Sequence, residues 1–435
     1  MANWPVLAGG RRWRGQEAYA LPVPQETPAS LPLLNCAPAQ VDMGDGVLRG
    51  VLAYNGMFPG PTWVARQGEW VTTRLVNGLD EPTITHWHGL IVDHANDGGP
   101  FLAIPPGGQY DYQFQIRQRA GLNFYHPHPD MLTGKQVAMG LAGAFIVRDA
   151  EEDALGLPAQ QYEVPLVIRD ASFDKSGNLV YNPTSSGFRG KFPLVNGTLN
   201  PMLAVDRGVY RLRVLNGSNA RVLRLALANG APFTVIGNDG GLLARPAIVT
   251  QVLLGMAERL DLLVDFSALG AGQGVALQCL DARWNLVQFV GSGKVGVSYT
   301  PPAVLSAVTA LSGPSQPTRT FSFDGMSRIN GKVYDIHRID FTVPFGVTER
   351  WRFKTGGNAP HPIHVHGASF QVVSRTGGRG TLYPWEAGWK DTVLLNDKET
   401  VDVLIRFDVY RGLYVMHCHQ LEHEGSGMMA NFEVV

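Results

Sequence analysis

Cysteine and histidine are both scarce in this chain of 435 residues, with 3 of the first and 12 of the second. Three cysteines, Cys36, Cys279 and Cys418, are too few for a small scaffold held together by disulfides. Cys36 and Cys279 either pair or stay as buried free thiols, and free thiols are the expectation. No apolar run reaches the length of about 18 residues that a membrane helix needs. Charge of one sign is also missing: 36 Lys and Arg nearly cancel 37 Asp and Glu. Without a basic stripe, nucleic acid is not an expected partner.

Turn formers, by contrast, are abundant, with 51 glycines and 29 prolines punctuating short stretches of alternating polarity. Residues 70–76, 210–215 and 401–407 read as strands, and helical patterns are few. One short helix is expected at residues 150–157, before Pro158. Composition breaks at 149–165 and again at 299–318, the second rich in Pro, Ser, Thr and Ala. An all-β chain of this length exceeds one hydrophobic core. Three β-sandwich domains are expected, at residues 1–150, 155–300 and 315–435.

The few histidines are concentrated. They form four His-x-His pairs: His86-Trp87-His88, His126-Pro127-His128, His364-Val365-His366 and His417-Cys418-His419. Random placement would give roughly a third of one such pair. Only His94 and His337 lie away from them; His94 reads as a loop surface residue, and His337, near Asp335, as a solvated residue with an added ligand as the alternative. None falls between His128 and His337, so the middle domain offers no imidazole and serves as a spacer. A metal site must then form where the first and third domains meet. On a strand, residues i and i+2 share a face, so each pair presents two imidazoles together. Eight imidazoles exceed the usual complement of one ion, and a cluster is implied. Cys418 points to the opposite face from His417 and His419. A separate site there needs two imidazoles, a thiolate and a weak thioether. His423 and Met428 follow at suitable distance, and His361 lies at an odd spacing from His364, provided the strand continues through Pro362.

His86-Trp87-His88-Gly89, Tyr125-His126-Pro127-His128, His361-Pro362-Ile363-His364-Val365-His366-Gly367 and the run from His417 to Met428 resemble the four copper motifs of the multicopper oxidases. Gly237-Asn238-Asp239-Gly240-Gly241 and Asn330-Gly331-Lys332 resemble connecting stretches of bacterial laccase-like members. The resemblance implies three cupredoxin-like Greek-key domains and four copper ions. It assigns His361, Cys418, His423 and Met428 to the type 1 copper. Type 2 copper falls to His86 and His364, and the type 3 pair to His88, His126, His128, His366, His417 and His419.

A reductant would deliver single electrons at a type 1 copper near the surface. They would then pass through Cys418 to its neighbours His417 and His419, and on to O2. Asp97 and Glu424 match acids that assist oxygen reduction in similar oxidases, and for each a simple turn carboxylate is the alternative. Asp335 and Asp391 resemble carboxylates near type 1 copper that meet substrate, with a strand-end turn acid and a surface acid as the alternatives. No methionines cluster between Gly291 and His361 apart from Met326, which argues against a dedicated cuprous oxidase. Phenols and aromatic amines are the expected reductants, with Cu(I) or Fe(II) as secondary donors, O2 the acceptor, and a monomer the expected state.

Competing readings are a metal-ion oxidase and a copper-free structural relative in cell division. A copper nitrite reductase has two domains and lacks four such pairs. A zinc hydrolase needs three ligands and an open position rather than this array. Trp13-Arg14-Gly15-Gln16-Glu17 after Arg11-Arg12 cannot serve as an apolar signal core. A periplasmic or extracellular location with a removed leader suits oxygen-dependent copper chemistry better than a cytoplasmic one.

Overall fold

The computed structural model describes residues 18–23, 26–28, 31–357 and 360–435. Residues Arg11 to Glu17, considered above, lie outside them. The described residues form six β-sheets, two in each of three successive sandwiches. The first joins a 5-stranded and a 4-stranded sheet across a core of Trp63, Trp87, Tyr112, Tyr125 and Phe145. The middle one joins sheets of 7 and 6 strands, and the last two sheets of 5. Trp351, Phe353, Phe432, Cys418 and Met428 share the last core.

Strand Trp70–Asn77 shows the alternation its sequence requires, with Val71, Thr73 and Leu75 inside and Trp70, Thr72 and Arg74 outside. Strand Val209–Asn216 is instead buried on both faces. Its Arg211 lies 2.7 Å from Glu152 and 2.5 Å from Asp261, and Arg213 is paired with Glu163, so each buried charge meets an opposite one. Glu152 belongs to the expected helix, which is shorter than its pattern suggested and spans Ala150–Ala154. Asp149 caps it by accepting from the Glu152 amide at 2.7 Å, and Gly156 at φ 57° ends it before Pro158.

The middle domain does more than hold a distance. Leu122, Phe124 and Ile146 of the first sandwich pack on Val167, Leu215 and Ala257 of the middle one. A second apolar seam joins Met43, Val51 and Ala53 to Ala171, Leu179 and Leu194. The early strand Tyr19–Ala20 pairs with Pro201 and Met202 in the middle sheet rather than with the first sandwich. Asn238 of the middle domain donates to the Trp385 and Ala387 carbonyls of the last at 3.0 Å each. Among the described residues no helix is long and apolar enough to cross a membrane.

These seams fix the histidine strands against one another. Leu215→Ala should leave a cavity at the first seam and cost about 2–5 kcal/mol. Denaturant titration should show that loss as an earlier midpoint for the first and middle domains.

Candidate metal centre

Two antiparallel pairings set the site. Strand Thr85–His88 lies against Gly121–Pro127 with His86 opposite His126. Strand His361–Val365, continuous through Pro362, lies against Gly412–Cys418 with His364 opposite His417 and Ile363 opposite Cys418. Residues directly opposite share a face, so the sulfur and the paired imidazoles project to different sides.

On one side the rings from the first and last sandwiches meet nitrogen to nitrogen. Nε2 of His86 is 3.3 Å from Nε2 of His364, and that of His126 is 3.3 Å from that of His419. His417 Nε2 lies 3.2 Å from His128 Nε2 and 3.1 Å from His366 Nε2. All eight rings are buried. Burial pushes each imidazole down, His126 to about 4 and His417 to about 3, so near neutral pH the rings are uncharged.

The outer nitrogens decide what the inner ones offer. His86 Nδ1 lies 2.6 Å from the Asp97 carbonyl, and His364 Nδ1 lies 2.8 Å from the Asp391 carbonyl. A carbonyl only accepts, so each Nδ1 carries the proton and each Nε2 presents a lone pair. Two lone pairs facing at 3.3 Å repel. A shared cation turns that repulsion into ligation, and neutral imidazole is a common metal ligand. The donor set therefore fits a metal cluster.

On the other side, Cys418 Sγ lies 3.4 Å from His361 Nδ1 and 3.8 Å from His423 Nδ1, and the two nitrogens are 3.2 Å apart. Met428 is buried in the same core, and its carbonyl accepts from the Cys418 amide at 3.1 Å. Burial pushes the Cys418 thiol up, so the thiolate needs a cation to form. One thiol and two imidazoles beside a thioether residue suit copper of the blue type. All four of these residues are buried, His423 with 3% exposure and the others with none.

Asp97 is no surface turn acid. It is fully buried, with Oδ2 2.7 Å from His366 Nδ1 and Oδ1 3.6 Å from His86 Nδ1. Its neighbour Gly98 sits at φ 75°, and a Cβ there would fall 1.9 Å from the Thr85 carbonyl, so glycine lets the loop close on the imidazoles. Glu424, on helix Leu421–Gly425, lies 3.3 Å from His417 Nδ1 and 3.7 Å from His128 Nδ1. Burial pushes its carboxyl up to about 8.

Asp391 corrects both readings made for it. It is 3% exposed, so it is not a surface acid, and its carboxylate lies against the imidazole side rather than the Cys418 side. Its Oδ1 lies 3.0 Å from His88 Nε2 and 2.7 Å from Arg259 Nη1. Asp335 is exposed, accepts from the His337 amide at 3.0 Å, and follows Tyr334, whose amide donates to the Gly427 carbonyl beside Met428 at 2.9 Å. His94 and His337 are exposed, as expected. Cys36 and Cys279 are buried free thiols. Sequence reasoning missed Arg259, Asp239 and Lys390, which interlock around Asp391: Arg259 holds the Asp391 carboxylate, and Lys390 Nζ lies 2.7 Å from Asp239.

Multicopper oxidase family profiles match residues 35–152 and 299–435. Multicopper oxidase mco of Staphylococcus aureus is 33% identical over 397 residues, which cover 89% of this chain and 85% of that protein. The laccase of Bacillus subtilis is 32% identical, covering 88% and 89%. The crystal structure of a laccase from Pediococcus acidilactici superposes with a TM-score of 0.91 at 35% identity, over 97% of this chain and 94% of that one. A Campylobacter jejuni multicopper oxidase described as a metallo-oxidase superposes at 0.79 with 27% identity, over 96% and 98%. Cell division protein FtsP of Dickeya dadantii is 34% identical, covering 87% and 84%.

The three sandwiches are thus of cupredoxin type, and fold and donor set together define a copper-binding oxidoreductase. The chain belongs to the multicopper oxidase family, and is an oxidoreductase that uses O2.

Cys418→Ser removes the thiol while leaving the imidazole side intact. Copper-loaded variant protein should lose the intense visible absorption and turnover together; a variant that keeps the band would remove Cys418 from this role.

Proposed function

We propose that this chain is a laccase-like oxidase coupling one-electron oxidation of phenols and aromatic amines to four-electron reduction of O2 to water. One observation carries the proposal: three consecutive residues, His417, Cys418 and His419, place a sulfur in one group of donors and two imidazoles in the other. Copper bound by these groups supplies the one-electron redox chemistry and the activation of O2. Four ions per chain are proposed. His361, Cys418, His423 and Met428 would hold the first, and His86 with His364 the second. His88, His126, His128, His366, His417 and His419 would hold the remaining pair.

The protein's own groups divide the remaining work. The bonded path from Cys418 to either neighbouring histidine, and the Cys418 carbonyl 3.2 Å from His417 Nδ1, link the two sides and suit this segment to carry electrons. Burial of every donor excludes bulk water from both groups. Reduction of one O2 to two waters consumes four protons. Asp97 Oδ2 at His366 and Glu424 Oε2 at His417 are buried carboxyls placed to hold and deliver them.

Substrate class rests on the surface over Met428. The stretch around Tyr334 that covers Gly427 includes no methionine cluster, and Asp335 beside it is exposed. That surface suits an aromatic donor, with Asp335 placed to meet it or a metal ion. The metal-ion oxidase stays the second reading, favoured by the metallo-oxidase among the structural neighbours. A copper-free structural role, suggested by the FtsP relative, is opposed by the complete donor set. A monomer in the periplasm or outside the cell is the proposed setting.

Copper-loaded protein should turn over a dimethoxyphenol faster than it oxidises Cu(I), and the reverse ranking would favour the metal-ion oxidase. A copper content well below four per chain after loading would sink both enzyme readings. Asp97→Asn should slow oxygen reduction on the order of a hundredfold while substrate still bleaches the visible band at the normal rate. Equal slowing of both steps in stopped-flow traces would deny Asp97 a proton role.

A further inference from the structure

Arg259 starts strand Arg259–Asp265 of the middle domain, which supplies no imidazole, yet it is completely buried beside the metal centre. Its guanidinium has five N–H donors, and each finds an acceptor. Nε lies 2.9 Å from the Leu122 carbonyl, on the strand that carries His126. Nη1 lies 3.0 Å from the Ala257 carbonyl and 2.7 Å from Asp391 Oδ1. Nη2 lies 3.1 Å from the Asp239 carbonyl and also bonds Asp391 Oδ2. One side chain thus ties the middle domain to a histidine strand of the first and to Asp391 of the last.

Asp391 passes this constraint to two imidazoles. Its Oδ1 lies 3.0 Å from His88 Nε2, and its carbonyl lies 2.8 Å from His364 Nδ1. Thr392 Oγ1 donates to the same Oδ1 at 2.8 Å and sits 3.0 Å from His88 Nε2. With Nε2–H donated to the carboxylate, His88 presents Nδ1, which is buried and has no hydrogen-bond partner. This is the opposite tautomer from His86 and His364, whose Nδ1 atoms face carbonyls. Gly89 makes room for the arrangement. A Cβ there would fall 2.7 Å from Arg259 Nη2 and 3.0 Å from Asp391 Oδ2, at φ 88°.

We propose that Arg259 is a positioning residue of the copper centre, acting through Asp391 to fix the ring orientation of His364 and both the orientation and the tautomer of His88. The inference rests on His88 and His364 being copper ligands. Partners of this kind orient metal-bound imidazoles, and their loss typically weakens metal binding about 10–100-fold. Lysine keeps the charge but offers three donors on a single nitrogen, so it cannot span the five acceptors.

Wild-type, Arg259→Lys and Asp391→Asn proteins, loaded with copper and dialysed against a graded chelator, provide the test. The readouts are copper per chain, the visible band of the Cys418 group, the electron paramagnetic resonance of the type 2 ion and the thermal midpoint. Wild-type protein that takes up no copper would overturn the ligand assignment itself, whatever the variants do. With wild type loaded, Arg259→Lys should lose copper from the imidazole side at about 10–100-fold lower chelator, with an altered type 2 signal and a retained visible band. Wild-type retention and an unchanged signal would overturn the proposal. So would a parallel fall of the visible band, the cluster copper and the thermal midpoint, which marks a residue that only holds the fold. Should Arg259→Lys fail to fold, Asp391→Asn decides alone: selective loss supports the clamp, and full retention overturns it.

Discussion

Lone pair facing lone pair is the constraint on which this structure depends. Carbonyls of Asp97 and Asp391 take the outer protons of His86 and His364, so both inner nitrogens are acceptors with nothing to donate. Such a pair, buried away from water, is unfavourable by itself. The sheets, the interdomain seams and the buried ion pairs hold it in place. The fold stabilises a set of donors that is satisfied only by a positive ion, which is how a protein builds selective affinity for metal.

Strand register converts that constraint into two separate groups. Because His417 lies opposite His364 and Cys418 opposite Ile363, one turn of the pleat divides imidazole from sulfur. The separation costs no additional scaffold, since adjacent residues on a strand already face opposite ways. It also leaves the two groups joined through the backbone at Cys418, whose carbonyl lies 3.2 Å from His417 Nδ1. The same economy places Asp97: the loop whose carbonyl orients His86 also brings the carboxylate to His366.

Much of this was legible from the residues. Period-two spacing of histidine places the pairs on strands, and the odd offsets of His361 and Cys418 separate them from their neighbours. The stretch without histidine marks the middle domain as free of imidazole. Hidden from that reading was what fills the space between domains. Asp391 sits in Trp389-Lys390-Asp391, a local pattern that reads as a solvated turn, and its burial is compensated by Arg259, 132 positions away. Lys390 is compensated in the same way by Asp239. Local pattern carries no trace of pairings at that distance. The helix at Ala150–Ala154 came out short for a local reason, because Gly156 left the helical region before Pro158 was reached.

The depth of the donors has a consequence for how the metal comes and goes. Rings exposed by no more than 3% leave no room for an incoming chelator to share an ion before the protein lets go. Opening between the first and last sandwiches is opposed by the Arg259 and Asn238 contacts that lash both to the middle one. Copper enters and leaves this centre more slowly than it would an exposed site, at a pace set by local opening of the protein around the rings.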